Sequence, residues 1–83
     1  MMRLQEVAAE LARRMNCTVE PGPEDAAEVT VRGKGYRFVV AGFFGGWQAT
    51  LYVPDQKPVT FYGEAVEMLE YRLKGWLSGR PVE

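Results

Sequence analysis

The segment YRFVVAGFFGGWQATLYV, residues 36–53, predicts two neighbouring β-strands joined by a tight turn. Apolar and aromatic side chains recur at alternate positions in YRFVVAGF and again in WQATLYV, which is the period of a strand. The pair Gly45-Gly46 lies between the two runs, and glycine tolerates the positive φ that a two-residue hairpin turn requires. We therefore expect an antiparallel hairpin here.

The turn sets which residues of the hairpin lie opposite each other. With Gly45-Gly46 at its centre, the expected cross-strand pairs are Phe44 with Trp47, Gly42 with Ala49, Val40 with Leu51 and Phe38 with Val53. All of these side chains share one face of the hairpin. Phe44 and Trp47 are expected to form an aromatic pair that closes the turn on the core side.

A third strand precedes this hairpin. From Glu28 to Arg32, valines alternate with polar side chains, which is again period two. A two-residue turn at Lys34-Gly35 places Val31 opposite Phe38 and Val29 opposite Val40. The three strands then form an antiparallel meander, and the same apolar face results from two independently chosen turns.

Two amphipathic helices are predicted to flank the meander. The first has one apolar face and a stop at Asn16, and its face is formed by Leu4, Val7, Ala8, Leu11, Ala12 and Met15. A short extended piece at residues 17–19 and an acidic connection, EPGPEDAAE at residues 20–28, follow it. The second helix is expected after a turn at PDQKP, with Thr60 as its cap and with Gly79 and Pro81 at its end. Its apolar face comprises Tyr62, Ala65, Val66, Leu69, Leu73, Trp76 and Leu77.

The predicted fold class is therefore α+β, in the order α-β-β-β-α. A three-stranded antiparallel meander carries both helices on one sheet face, because each helix has a single apolar stripe to bury. The 83 residues are expected to form one small domain, residues 1–83, since a chain of this length does not divide into two cores.

Composition excludes several functional classes. Ten basic and eleven acidic side chains give a net charge of −1, so no global field attracts nucleic acid or an anionic membrane. Charged residues interrupt the N-terminal segment MMRLQEVAAELARRMN, unlike a signal peptide, and no run of about 18 apolar residues is present. The single cysteine, Cys17, precludes an internal disulfide framework. We expect a cytoplasmic protein that does not associate with membranes.

The sequence offers little material for catalysis. Histidine is absent, which removes the commonest general base and the commonest transition-metal ligand. One cysteine without histidine forms neither a nucleophile pair nor a zinc site. The turn RGKGYR matches neither phosphate-binding glycine pattern and leads into a strand. We expect a non-enzymatic protein with no catalytic, cofactor-binding or metal-binding residues and no cofactor.

The sheet face opposite the helices is predicted to be more apolar than solvent requires, which is typical of a contact surface. The candidate interaction residues at this face and its hairpin end are Arg32, Lys34, Arg37, Val39, Ala41, Phe43, Gln48, Thr50 and Tyr52. The first hypothesis is a non-catalytic protein-interaction module that self-associates, as a homodimer, through this face or its edge. Docking on another protein and plain exposure to solvent are the alternatives for the same face.

A second hypothesis is a single-stranded nucleic-acid-binding domain. Phe43 and Tyr52 would stack on bases while Arg32, Lys34 and Arg37 hold phosphates. The predicted register makes Arg32 and Arg37 cross-strand neighbours, a like-charge pair that costs stability unless an anion uses it. The net charge and Glu28 on the same face favour the first hypothesis.

Two similarities to known families accompany these patterns. The predicted order of one helix, three strands and one helix resembles the double-stranded-RNA-binding domain and the small toxins that share its topology. The start of the last helix, TFYGEAVEML, is acidic where that domain is basic, and the toxins' catalytic histidine has no counterpart. GGWQATLYVPD followed by GEAVEMLEYRLKGWL is similar to the strand, Pro-Asp and helix of HicB-type antitoxins, with QKPVTFY in place of their glycine-rich link. The latter similarity implies, as a further alternative, an antitoxin-like or small regulatory protein of bacterial type.

Overall fold

The computed structural model of the chain describes residues 2–79, and it is an α+β fold. Two helices flank five strands along the chain. The elements are α1 (Leu4–Met15), β1 (Thr18–Val19), β2 (Glu28–Arg32), β3 (Arg37–Phe43), β4 (Gly46–Tyr52), β5 (Val59–Gly63) and α2 (Val66–Ser78).

The five strands form one antiparallel sheet in which neighbours in the chain are also neighbours in space. The predicted three-stranded meander is its centre, β2-β3-β4. The predicted extended piece after α1 becomes β1, which pairs with the end of β2. β5 adds a further strand beside β4, and the sequence patterns did not predict it.

The position of β5 corrects the predicted start of the last helix. Thr60 was expected to cap that helix, yet it lies in β5 directly opposite Thr50. Tyr62 was expected on the apolar helix face, and it is a strand residue as well. The segment VTFYG is rich in β-branched and aromatic residues, and pairing with β4 satisfies its backbone groups. The helix therefore begins only at Val66, with Ala65 as its N-cap residue.

The register of β2 with β3 confirms the predicted turn at Lys34-Gly35. The Gly33 N–H donates to the carbonyl oxygen of Tyr36 at 2.9 Å, and Gly35 takes the positive φ (82°) that such a turn needs. Val31 lies opposite Phe38 and Val29 opposite Val40, as expected. Arg32 and Arg37 are cross-strand neighbours.

The register of β3 with β4 differs from the prediction. Phe44 and Gly45, with φ of 40° and 80°, form the turn in place of Gly45-Gly46. The observed pairs are Phe43 with Gly46, Gly42 with Trp47, Val40 with Ala49 and Phe38 with Leu51. The expected Phe44–Trp47 pair is therefore wrong, and Phe44 is 94% exposed.

Gly46 explains why the turn moves by one residue. A Cβ atom on Gly46 would lie 2.9 Å from the Gly63 carbonyl oxygen, so this glycine is used for close backbone approach beside β5. The chain turns instead at Phe44 and Gly45. Because the shift changes every partner by two residues, the same alternate side chains of β3 and β4 still face the helices.

Both helices pack on that inner face, and the buried side chains of helices and sheet form one cluster. It comprises Val7, Ala8, Leu11, Ala12, Val29, Val31, Phe38, Val40, Ala49, Leu51, Val66, Leu69 and Leu73. Trp47 and Trp76 pack against this cluster while staying partly exposed. Within residues 2–79, neither helix is both long and apolar enough to cross a membrane.

The ends of the helices follow their sequence signals. Asn16 adopts the left-handed conformation (φ 59°, ψ 45°), which stops α1 where the sequence predicted. At the start of α1, the Arg3 N–H donates to a carboxylate oxygen of Glu6 at 2.7 Å. Gly79 follows α2 and its N–H donates to the Gly75 carbonyl, while Pro81 lies outside the described residues.

Arg14 connects the two helices through partly buried ion pairs. Its Nε lies 2.8 Å from an Oε2 of Glu10 on its own helix, and its Nη1 lies 2.9 Å from Oε1 of Glu70 on α2. Arg13 also donates to Glu10, and Lys74 donates to Glu70. Hydrogen bonds from Arg13 and Arg14 lower the pKa of Glu10, and those from Lys74 and Arg14 lower the pKa of Glu70.

These ion pairs predict how stability depends on pH. A carboxyl group whose pKa is lowered in the folded state stabilises the fold above its unfolded pKa of about 4.3, and the gain disappears as the pH falls through the folded value. We expect Arg14→Gln to lower the melting temperature at neutral pH and to show a shrinking deficit below about pH 4.

Thermal unfolding followed by circular dichroism across this pH range checks the expectation. Arg72→Gln, at an exposed arginine elsewhere on α2, is the matched control. A deficit for Arg14→Gln that stays constant from neutral to acidic pH would show that the ion pairs do not cause it.

Candidate interaction surface

The sheet face opposite the helices, here called the outer face, consists of the alternate strand residues that point away from the core. On β2 to β5 these are Glu28, Thr30, Arg32, Arg37, Val39, Ala41, Phe43, Gln48, Thr50, Tyr52, Thr60 and Tyr62. Eight of the nine candidate residues belong to it. The ninth, Lys34, is exposed in the β2–β3 turn at one end.

The middle of the outer face is covered by short side chains. Val39 is half-buried between Thr30 and Thr50, which are its partners on the neighbouring strands. The hydroxyl oxygens of Thr50 and Thr60 lie 3.0 Å apart and share a hydrogen bond. These two hydroxyl groups therefore satisfy each other within the chain, and the basic and aromatic side chains of the outer face lie at its two ends.

One end of the outer face is basic, but its arginines already have partners. The Arg32 Nε lies 2.6 Å from an Oε2 of Glu20. The guanidinium of Arg37 lies 4.1 Å from the centroid of the Tyr52 ring, a cation–π contact. Both arginines and Tyr52 line a shallow groove of about 430 Å³ beside the β2–β3 turn.

The other end is aromatic. The rings of Phe43 and Tyr62 lie 4.5 Å apart between centroids, and Phe44 meets Phe43 edge-on at 4.7 Å. Phe43 is 40% exposed and Tyr62 is 47% exposed. We call these three residues the aromatic cluster. Gly46, the partner of Phe43, has no side chain to separate that ring from Tyr62.

The sequence predicted only one member of this cluster. Phe44 was assigned to the core because the turn was placed one residue late, and Tyr62 was assigned to the helix. The alternation of Val59, Phe61 and Gly63 against Thr60 and Tyr62 was the available signal for a strand. It was weak because the run is five residues long and directly precedes helical spacing.

The structure also separates candidate residues that the nucleic-acid hypothesis had combined. Phe43 and Arg37 lie at opposite ends of β3, which is about 20 Å for six residues of extended chain. Tyr52 stays next to Arg37, its direct partner on β4. A stacking platform at the basic end therefore has Tyr52 and not Phe43.

Phe44, in the turn beside the outer face, has an unfavourable backbone conformation. Its φ of 40° is in the left-handed region, where Asn, Asp or Gly is usual and a bulky side chain costs about 1–2 kcal/mol. Its ring is almost fully exposed, so burial within the described chain does not offset this cost. We take this strained, exposed aromatic residue as the starting point for a functional hypothesis.

Away from the outer face, the described residues contain one contact of chemical interest. The Sγ of Cys17 lies 3.1 Å from the Tyr36 hydroxyl. Burial, and to a smaller extent this contact with the thiol, raises the pKa of Tyr36. Cys17 is half-buried and packs against the core, so we interpret the contact as structural. Among residues 2–79, no group of three or more cysteine and carboxylate side chains is arranged to hold a metal ion.

Comparison with known protein-family models found no match for this chain, and comparisons with curated proteins and with solved structures also found none. The five-stranded sheet departs from the helix, three strands and helix order of the double-stranded-RNA-binding domain. β5 also separates the Pro-Asp turn from α2, where HicB-type antitoxins have a glycine-rich link. The functional proposals below therefore rest on the surface itself.

The strain at Phe44 predicts that a residue suited to the turn will stabilise the monomer. We expect Phe44→Asn to raise the free energy of unfolding by about 0.5–1 kcal/mol, since asparagine tolerates positive φ. Urea unfolding at a protein concentration where the chain is monomeric measures this change. A loss of more than about 1 kcal/mol would show that the ring contact with Phe43 outweighs the strain.

Proposed function

We propose that this protein is a non-catalytic interaction module that self-associates through the aromatic cluster of its outer face. The observation that carries the proposal is Phe44, an aromatic residue that is 94% exposed in a backbone conformation that disfavours it. The same side chain would gain free energy by entering an interface, where aromatic residues commonly supply most of the binding energy.

The surroundings of the aromatic cluster fit the centre of an interface. The outer-face neighbours of its strand residues are Ala41 and Gln48, and both are uncharged. Interface cores are depleted of charged residues, while charges are common at the rim. Of the charged outer-face residues, Arg32 and Arg37 lie at the opposite end of the strands, while Glu28 lies opposite Ala41 and one strand away from Phe43.

A contact between two copies of this surface is symmetric. An isologous interface needs only one self-complementary patch, and homodimers are the commonest oligomers. The exposed Phe44 ring stands at 77° to the Phe43 ring, and the Phe43 and Tyr62 rings are tilted by 42° to each other. Because each Phe44 ring is exposed, it is available to pack on the aromatic cluster of the other copy.

Sedimentation velocity across a micromolar concentration series tests the proposal. We expect the wild-type chain to form dimers and Phe44→Asn to weaken their association by about tenfold or more, the loss expected of a hot-spot aromatic residue. Because this substitution suits the turn, weaker association would not result from unfolding.

Tyr71→Asn is the matched control for that measurement. Tyr71 is 81% exposed on α2, so the variant removes a similarly exposed aromatic ring from the helix side of the molecule. Its dimers should be as stable as those of the wild type. A wild-type chain that stays monomeric at high micromolar concentration, or equal losses for both variants, would refute self-association through the cluster.

A second candidate function is single-stranded nucleic-acid binding, and only the basic end of the outer face favours it. Arg32 and Arg37 are like charges on directly opposite residues, and Arg37 lies over the Tyr52 ring in a cation–π contact, a combination of arginine and aromatic ring that single-strand binders also use. The pairing of Arg32 with Glu20 reduces the charge available for phosphates. This candidate therefore has weaker support than self-association.

Fluorescence anisotropy of a labelled oligothymidine tests that candidate. If it is correct, binding should weaken steeply with added salt, and Arg37→Gln should weaken it more than Arg72→Gln, a control on α2. Equal effects of the two variants, or the absence of a salt-dependent change in anisotropy, would count against nucleic-acid binding.

A further inference from the structure

β5 is an edge strand with an accessible backbone. It pairs with β4 on one side and is the last strand of the sheet that the described chain forms. Its residues alternate between half-buried and exposed, with Thr60 and Tyr62 exposed. An edge of this kind presents N–H and C=O groups that can pair with another strand.

The sheet register identifies the outward-pointing backbone groups. In a two-residue hairpin the residues that flank the turn exchange hydrogen bonds, so Phe43 and Gly46 form a hydrogen-bonded pair and such pairs alternate along the ladder. Trp47, Ala49 and Leu51 of β4 therefore direct their backbone groups toward β5. On β5, the opposite alternation leaves the N–H and C=O groups of Thr60 and Tyr62 pointing away from the sheet.

This edge lacks the features that usually prevent strand pairing. Val59–Gly63 contains no charged residue and no proline. The opposite edge differs, because β1 has only two residues and is followed by Glu20 and Pro21. Natural edges are protected by short strands, charges and proline, so β1 is protected and β5 is open.

Apolar side chains flank the open edge on both faces of the sheet. Tyr62 and its aromatic neighbours lie on the outer face. On the helix side, Met68 is 40% exposed, and a Cβ atom on Gly63 would lie 3.0 Å from the Met68 Cβ. Phe61 packs against the core but remains half-buried because no strand covers it within residues 2–79. A strand added at β5 would cover the side chains of Tyr62, Phe61 and Met68 together with the outward backbone groups.

We propose that the occupant of this edge is β5 of a second copy of the chain, paired antiparallel so that two five-stranded sheets become one ten-stranded sheet. The inference rests on the proposed self-association and adds a second contact to it, because antiparallel pairing leaves the aromatic clusters of the two copies at opposite ends of the joined sheet. Lys57 precedes the strand and Glu64 follows it, so antiparallel self-pairing brings the lysine end of one copy to the glutamate end of the other. This charge complementarity favours a second copy over an unrelated strand.

Symmetry and the outward groups select one register. In an antiparallel pair of identical strands, the two-fold axis lies midway between one residue and the same residue of the other copy. If that residue is Phe61, Thr60 of each copy lies opposite Tyr62 of the other. All outward groups of both residues are then paired. Centring on Thr60 would place Tyr62 opposite Pro58, which lacks an N–H, and centring on Tyr62 would use Glu64 outside the strand. The two Phe61 side chains face each other across the axis.

Disulfide cross-linking of the full chain in a Cys17→Ser background tests the register. Residue 61 would lie about 4.5 Å from its counterpart, Cα to Cα, so Phe61→Cys should shift to the dimer position on non-reducing gels after mild oxidation. A mixture of Thr60→Cys and Tyr62→Cys chains should form the mixed dimer, identified by mass. These two positions are exposed, so this arm remains informative if Phe61→Cys folds poorly.

Thr18→Cys, on the exposed face of the β1 edge, is the matched control and should remain monomeric on the gel. Cross-linking of Thr18→Cys as efficient as that of Phe61→Cys would overturn the proposal, as would efficient Thr60→Cys homodimers together with no mixed dimer. If sedimentation shows dimers that Phe44→Asn weakens but neither β5 arm cross-links, the edge pairing is wrong and the proposed function stands. A chain that is monomeric in sedimentation refutes both.

Discussion

The pairing of β3 with β4 is the interaction on which the other features of this structure depend. Its register places Phe38, Val40, Ala49 and Leu51 on one face, and both amphipathic helices bury their apolar stripes against these side chains. The same pairing leaves the other edge of β4 free for β5. Because period-two alternation puts these four side chains on one side, the helices bury a continuous apolar surface there through the hydrophobic effect.

The same hairpin also produces the candidate site. Gly46 is needed where the chain backbone approaches Gly63, so the turn is formed by Phe44 and Gly45. A phenylalanine is thereby held in a left-handed conformation at the tip of the sheet, next to Phe43 and Tyr62. Local strain and an exposed aromatic cluster thus share one cause, the close packing of backbone between β4 and the end of β5.

The two ends of the outer face support different kinds of contact. At the basic end, Glu20 pairs with Arg32 and Tyr52 lies under Arg37, so the charges are partly satisfied within the chain. At the aromatic end the rings contact one another and solvent, with an uncharged edge strand beside them. Free energy remains to be gained at the aromatic end on association, because apolar surface there is still in water.

The alternation of side chains and the helical spacing were sufficient, in sequence, to predict the α+β class, the core faces of β2, β3 and β4, and the end of α1 at Asn16. These features depend on local periodicity, which neighbouring residues determine. The turn at Phe44, the strand β5 and the exposure of Tyr62 depend on which backbone lies beside β4. Several registers preserve the same apolar alternation, and VTFYG precedes a helix without a clear boundary, so only the packing of distant segments decides between them.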